Sequence, residues 1–292
     1  VSSMPQPRTG VIHDIGYQRY EGPRLGRGYA ARSLYVHSVR SSFGLGRSAW
    51  AKVLPIGLLG MASIASLILV VINTQLPEPV LDYAGIASTF TYAATVFVAI
   101  VAPELVSVDL RTNLLQLYLS RPIRRSDYAL AKLAALATAT FVLFAVPMLI
   151  MFAGMAFSTD DGIAGVFDEL GGLCVGLLAA VVHAALLAAI ALPLASLSGR
   201  RVFASGIIIA VFLLTAPVSA ALEAFSYDSA AGHLAGLIDP SRLLAGVDQW
   251  LFGVDLRLVN VGGFGAVYGL LTVVLIVAGT ACALWRYRKV KS

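Results

Sequence analysis

Residues 170–222 read LGGLCVGLLAAVVHAALLAAIALPLASLSGRRVFASGIIIAVFLLTAPVSAAL, two apolar runs separated by Ser198-Gly199-Arg200-Arg201. A helix needs roughly 20 apolar residues to cross a hydrocarbon core of about 30 Å, and each run reaches that length. Working outward, comparable runs occur at 53–72, 83–103, 133–157 and 258–285, which with 170–199 and 202–222 make six. The chain is 58% hydrophobic and only 13% charged, with a mean hydropathy of +0.83, outside the range of ordinary soluble domains. The pattern predicts an all-α polytopic membrane protein with six transmembrane helices.

The charges between the runs are sorted. Nineteen of the twenty-one Lys and Arg residues fall in the N-terminal arm, the segment between the second and third runs, the Arg200-Arg201 loop and the tail; Arg242 and Arg257 fall on the other side. The positive-inside bias then puts both termini in the cytosol of a multi-pass plasma-membrane protein. Eleven of the sixteen carboxylates lie on the opposite, outer side, which corroborates the sorting without driving it. A basic inner face opposite anionic lipid headgroups explains the overall +5 charge more economically than nucleic-acid binding does. No short cleavable leader is expected before the first run, where about fifty polar and basic residues stand.

The expected organisation is a cytosolic arm with an interfacial helix over residues 1–50 and a six-helix transmembrane domain over 51–292. Residues 1–28 are rich in Gly, Pro and Arg and read as an extended arm. Within 29–50, Tyr35, Val39, Phe43 and Trp50 recur at helical spacing beside Arg40 and Arg47, which suits a helix at headgroup depth. The second crossing is expected to end at Pro103-Glu104. Beyond it Leu110, Leu114, Leu117 and Tyr118 fall at i, i+4, i+7 and i+8, one apolar face of a short amphipathic helix that Pro122 stops. Ser126-Asp127 can cap the third crossing. In the long outer loop 223–257, Asp239-Pro240 reads as an N-cap with proline at the first helical position. Leu243, Leu244, Val247, Trp250 and Leu251 follow as a second stripe, for a helix that either lies on the outer surface or dips into the protein.

The residue types exclude several chemistries. Within the six runs His183 is the sole ionisable group, read most economically as neutral and hydrogen-bonded to a neighbouring helix. With no carboxylate beside it in the runs, an ion-coupled transporter lacks its usual relay. No His-Glu-x-x-His motif offers zinc ligands, and Cys174 and Cys282 lie in apolar runs as small hydrophobes, so neither a structural zinc nor a disulfide is expected. None of the four lysines follows a glycine, so there is no phosphate loop. The chain is not expected to be an enzyme or to bind a cofactor itself.

Pro103-Glu104, Asp109-Leu110-Arg111, the stretch Leu117-Tyr118-Leu119-Ser120-Arg121-Pro122-Ile123 and Tyr128-Ala129-Leu130-Ala131-Lys132 follow one another within this topology. From about residue 30 onward the chain resembles the permease subunit of type-2 ABC exporters, and Asp239-Pro240-Ser241-Arg242-Leu243-Leu244 through Trp250-Leu251-Phe252-Gly253 resembles such permeases from high-GC Gram-positive bacteria. The resemblance implies a second permease chain, identical or related, and two cytosolic P-loop ATPase subunits that carry the ATP and magnesium. It also implies that the 110–119 helix docks on the ATPase. Glu104, Asp109, Leu110, Arg111, Leu114, Leu117, Tyr118 and Arg121 would then serve coupling, with Arg200 and Arg201 as a smaller contact. Leu243, Leu244, Val247 and Trp250 would help close an outer gate. The alternative class is a membrane anchor or assembly factor that recruits cytosolic partners through its basic arm. A nearly uncharged wall suits an amphiphilic or lipid-like cargo.

Overall fold

The computed structural model describes residue 22 and residues 25–76, 79–111, 123–226, 229–254 and 259–289. In chain order the helices are α1 Arg27–Ser42, α2 Ala49–Asn73, α3 Tyr83–Arg111, α4 Arg125–Ser158, α5 Gly162–Ser196, α6 Arg201–Phe225, α7 Ala230–Leu234, α8 Pro240–Phe252 and α9 Gly265–Lys289. A 3-10 turn, Ala235–Ile238, joins α7 to α8. Six of these, α2 to α6 and α9, are long and apolar enough to span a bilayer, and there is no strand among the described residues. The chain is a multi-pass, all-α membrane protein.

Several boundaries differ from the sequence expectation. The second span does not stop at Pro103-Glu104: α3 carries Pro103 in its interior and continues to Arg111. Proline is tolerated inside a membrane helix where packed neighbours take over the freed backbone groups, and both residues flanking Pro103 here, Ala102 and Glu104, are at least partly covered. The fourth span starts at Gly162, well before residue 170, and so extends past the start of α3, whose Tyr83 packs on Gly172 and Gly176. The sixth starts at Gly265 rather than 258, because Val259 and Val261 turn inward as core residues and Gly262 takes a positive φ of 49°. Aspartate 127, not a Ser126-Asp127 cap pair, closes the start of α4: its Oδ2 accepts from the Arg124 backbone N–H at 3.0 Å.

At the N-terminal end the expected 29–50 helix is divided. α1 ends at Ser42, and a turn with Gly44 at φ 68° leads to α2. A Cβ on Gly44 would meet the Ala51 carbonyl oxygen at 2.6 Å, so the tight reversal needs glycine for both conformation and room. Trp50 consequently sits on α2, fully outward, while Tyr35 and Phe43 pack inward: the Tyr35 hydroxyl is 2.9 Å from Thr138 Oγ1, and the Phe43 and Phe97 rings are 6.0 Å apart.

The bundle has a centre and a rim. The apolar windows of α3, α5 and α4 are 67%, 56% and 50% buried, those of α2, α6 and α9 only 22%, 22% and 17%. Lipid solvates apolar side chains as well as another helix does, so what selects the central contacts is close packing of small residues. α5 is rich in alanine, and Ala179, Ala180, Ala184, Ala188, Ala189 and Ala191 are all buried. Gly279 of α9 crosses it where any Cβ would collide with the Ala189 backbone.

Side-chain contacts fix which helix ends share a level. Arg47, Glu104 and Arg201 meet at one end, as do Arg125 with the Arg288 carbonyl and Arg286 with the Ser196 carbonyl. The starts of α2, α4 and α6 and the ends of α3, α5 and α9 therefore lie together at a basic end. At the opposite end Asn73 holds the Leu81 carbonyl and the Val80 N–H, and the Tyr83 hydroxyl donates to Glu169 at 2.5 Å.

Candidate functional site

At the basic end α3 outlasts its apolar span by more than a turn, and that extension carries two carboxylates. Glu104 pairs with Arg47, from the turn between α1 and α2, and its Oε1 lies 3.0 Å from Nη1 of Arg201, the first residue of α6. One further turn along, Asp109 Oδ2 lies 2.9 Å from Lys132 Nζ and accepts from the Tyr128 hydroxyl at 2.7 Å, both from α4. This second pair is almost wholly buried, and a buried pair of this kind is held by its extra hydrogen bonds as much as by charge. A cavity of about 520 Å³ opens between α1, α3 and α4, lined by His37, Arg40, Arg47, Glu104, Asp109 and Lys132. Three arms of the chain are thus tied to the end of α3.

At the opposite end α7, the 3-10 turn and α8 fold back onto the spans. Asp239 caps α8: its Oδ2 accepts from the Arg242 N–H at 3.0 Å and its Oδ1 from Thr215 Oγ1 of α6 at 2.9 Å. Arg242 pairs with Glu223, which also accepts from the Asn260 N–H at 3.2 Å. Gly253 closes the helix at φ 72°, its N–H donating to the Asp248 carbonyl. The apolar stripe goes inward: Leu243, Leu244 and Val247 are buried. Of the two readings of this helix, the structure adopts the one that dips into the protein. Trp250 stays 47% exposed and lies over Gly265 and Gly269 of α9. With α5, α6 and α9, this segment borders an open-sided apolar cavity of about 530 Å³ whose lining includes Val211, Leu237, Leu243, Leu271 and Leu275.

On the inner side of α8, Asp248 reaches the bundle interior. Its Oδ2 lies 3.3 Å from His183 Nε2 of α5 and accepts from Ser88 Oγ of α3 at 2.5 Å. Burial pushes the Asp248 carboxyl up from its ordinary range, with His183 and Ser88 opposing that push. The expectation of a histidine with no carboxylate partner is thus corrected: the carboxylate comes from the segment between α6 and α9 rather than from a spanning run. Its other ring nitrogen, Nδ1, faces the Ala179 carbonyl of its own helix at 2.9 Å rather than a neighbouring helix.

No family model and no curated protein matches this chain.

Of the sequence-predicted coupling residues, the structure brings Glu104 and Arg201 together. Asp109 lies beside the same cavity, in a separate pair. Arg200 is directed elsewhere, its guanidinium 5.9 Å from the Phe203 ring centre. Leu110 and Arg111 belong to the last turn of α3. Leu114, Leu117, Tyr118 and Arg121 lie outside the described residues. Sequence reasoning reads Arg47 only as an interfacial arginine and Tyr128 and Lys132 only as part of a family-like stretch, and singles out neither Ser88 nor Asp248. Only Asp248 left a local signal: it follows Leu244 by four residues and so borders the apolar stripe of its helix. Among the described residues no three His, Cys, Asp or Glu side chains gather as a metal site.

Proposed function

We propose that this chain is the transmembrane permease subunit of an ATP-driven ABC exporter of a bacterial plasma membrane, with both termini in the cytosol. A separate P-loop ATPase subunit would bind ATP and magnesium, and a second permease chain would complete the transport path. The cargo would be amphiphilic or lipid-like. The six-span topology supports this reading, and one observation carries it. The segment expected to dock on the ATPase leaves from the end of α3, and α3 is clamped there through Glu104 to Arg47 and Arg201 and through Asp109 to Lys132. A push on 110–119 would therefore be felt at the starts of α2, α4 and α6 together. The apolar cavity beside α8, free of charged side chains, suits a hydrocarbon part of the cargo.

The test is gentle affinity purification from native membranes of the wild type and of a Leu114→Asp/Leu117→Asp variant. A stoichiometric P-loop ATPase with the wild type, lost in a variant that still inserts, is the expected result. Purification alone, or with other partners, would displace this reading in favour of a membrane anchor or assembly factor.

A further inference from the structure

His183 and Asp248 are each 0% exposed, and they come from elements that the chain could have kept apart. Two of their polar atoms, His183 Nε2 and Asp248 Oδ1, have no hydrogen-bond partner among the described residues. Unsatisfied buried polar atoms are rare enough in native proteins to require a cause. For Nε2 and the oxygen it faces, the proton count supplies one. The Ala179 carbonyl can only accept, so Nδ1 of His183 carries a proton. In a neutral ring Nε2 is then a bare acceptor, and it faces the acceptor Oδ2 of Asp248 at 3.3 Å. The Ser88 hydroxyl donates to that oxygen at 2.5 Å but does not reach the ring. Two bare acceptors so placed, with a net negative charge between them, would drive the helices apart. One further proton removes the conflict, whether it resides on the ring as imidazolium or on the carboxyl.

We propose that His183 and Asp248 form a buried single-proton site whose occupancy holds α8 against α3 and α5. The proton makes the pair neutral overall, which is the state compatible with burial. Its loss leaves a buried negative charge, and that charge is relieved when α8 lifts and Asp248 reaches water. Proton affinity is therefore higher with α8 docked than with α8 free. Docking is fully present at pH values below the free-state affinity and is lost as pH rises through the docked-state affinity. The groups around the pair keep the effect local. Asp82, ahead of α3, is a further carboxylate acting on Asp248 and reinforces proton retention. From α4 the Phe144 ring packs edge-on to His183 at 5.6 Å. On α6 Glu223 is engaged by Arg242, the N-cap Asp239 by Thr215, and on α9 the Tyr268 hydroxyl donates to the His233 carbonyl. Since Pro240 and Leu243 form part of the wall of the apolar cavity, lifting α8 also widens that cavity at the end of the bundle opposite the basic one.

Asp248→Asn separates this site from a merely structural contact. The amide can donate permanently to Nε2, imitating the protonated acid while removing titration. Hydrogen exchange of peptides covering 240–252 in bilayers, for wild type and Asp248→Asn at matched pH, reads the docking directly; their ratio cancels intrinsic base catalysis. Equal protection at about pH 6 is expected, followed by a loss in the wild type alone that approaches about tenfold per pH unit for one proton. Parallel behaviour of the two proteins across the alkaline range would overturn the proposal. Nitrogen-15 NMR of histidine-labelled wild type needs no variant, and His183 is the signal shielded from a water-soluble relaxation agent. With infrared detection of the carboxyl, it must find one shared proton below the transition. A bare Nε2 beside an ionised Asp248, with α8 still protected, would also refute the site.

Discussion

Glu104 Oε1 lies 3.0 Å from Arg201 Nη1, so the cytosolic continuation expected after α3 and the first residue of α6 share one carboxylate, whose other oxygen is held by Arg47. All three side chains keep some solvent contact, so each pair alone is worth little; their value lies in forcing three chain segments to one point.

Glu104→Gln should therefore insert normally and lose roughly 1 kcal/mol of stability, read as a lower melting midpoint in detergent. The Arg47→Gln/Arg201→Gln double variant should lose a similar amount, and combining all three should add little. Full additivity in that cycle would show that the carboxylate and the two arginines act independently.

Asp109 and Lys132 differ from that junction in being buried. Asp109→Leu or Lys132→Met alone leaves one charge without its partner and should destabilise by about 3–5 kcal/mol. The double replacement should recover most of the loss, since it removes both desolvated charges. Thermal unfolding monitored by fluorescence size-exclusion chromatography decides this; a double variant worse than either single one would contradict the pairing.

Gly246 lies where an added Cβ would strike the Tyr268 ring, whereas Gly206 on α6 faces open space. Helix propensity alone favours alanine at both by about 0.5–1 kcal/mol. Gly206→Ala should show that gain. Gly246→Ala should instead lose about 1–3 kcal/mol through overpacking between α8 and α9. Equal melting midpoints for the two variants would mean that α8 is not seated as described.

Ser158 and Ser226 lie at the end of the bundle opposite to Ser198. In a background with Cys174→Ser and Cys282→Ser, cysteines at 158 and 226 should react with an impermeant maleimide applied to whole cells, and one at 198 only after lysis. The reversed pattern would invert the proposed orientation.

The spans were legible because length and hydropathy are all that a bilayer demands of a single helix. The start of α8 was legible too, since Asp239-Pro240 writes its cap into adjacent positions. The extension of α3 through Pro103 was not, because the penalty of a proline depends on neighbours that no local pattern names. The start of α9 was misplaced for a related reason: Val259 and Val261 are apolar because they are buried against Gly236 of the 3-10 turn and Gly246 of α8, not because they cross a membrane. Of the candidate coupling residues, Glu104 and Arg201 could be proposed individually, but their meeting with Arg47 depends on three segments distant in sequence. Asp248 was hidden most deeply, as a carboxylate in an acidic segment between two spans, where solvation is the ordinary expectation.

The contact between Gly279 and Ala189 has a mechanical meaning. Because Gly279 lets the α9 backbone lie directly against Ala189, a rotation of α9 about this point would keep the two helices in contact. At 1.5 Å per residue, α9 extends roughly 21 Å from this fulcrum to Gly265 and roughly 15 Å to Lys289. Tilting its basic end one way swings its other end, with Trp250 lying across it, by a larger distance in the opposite sense.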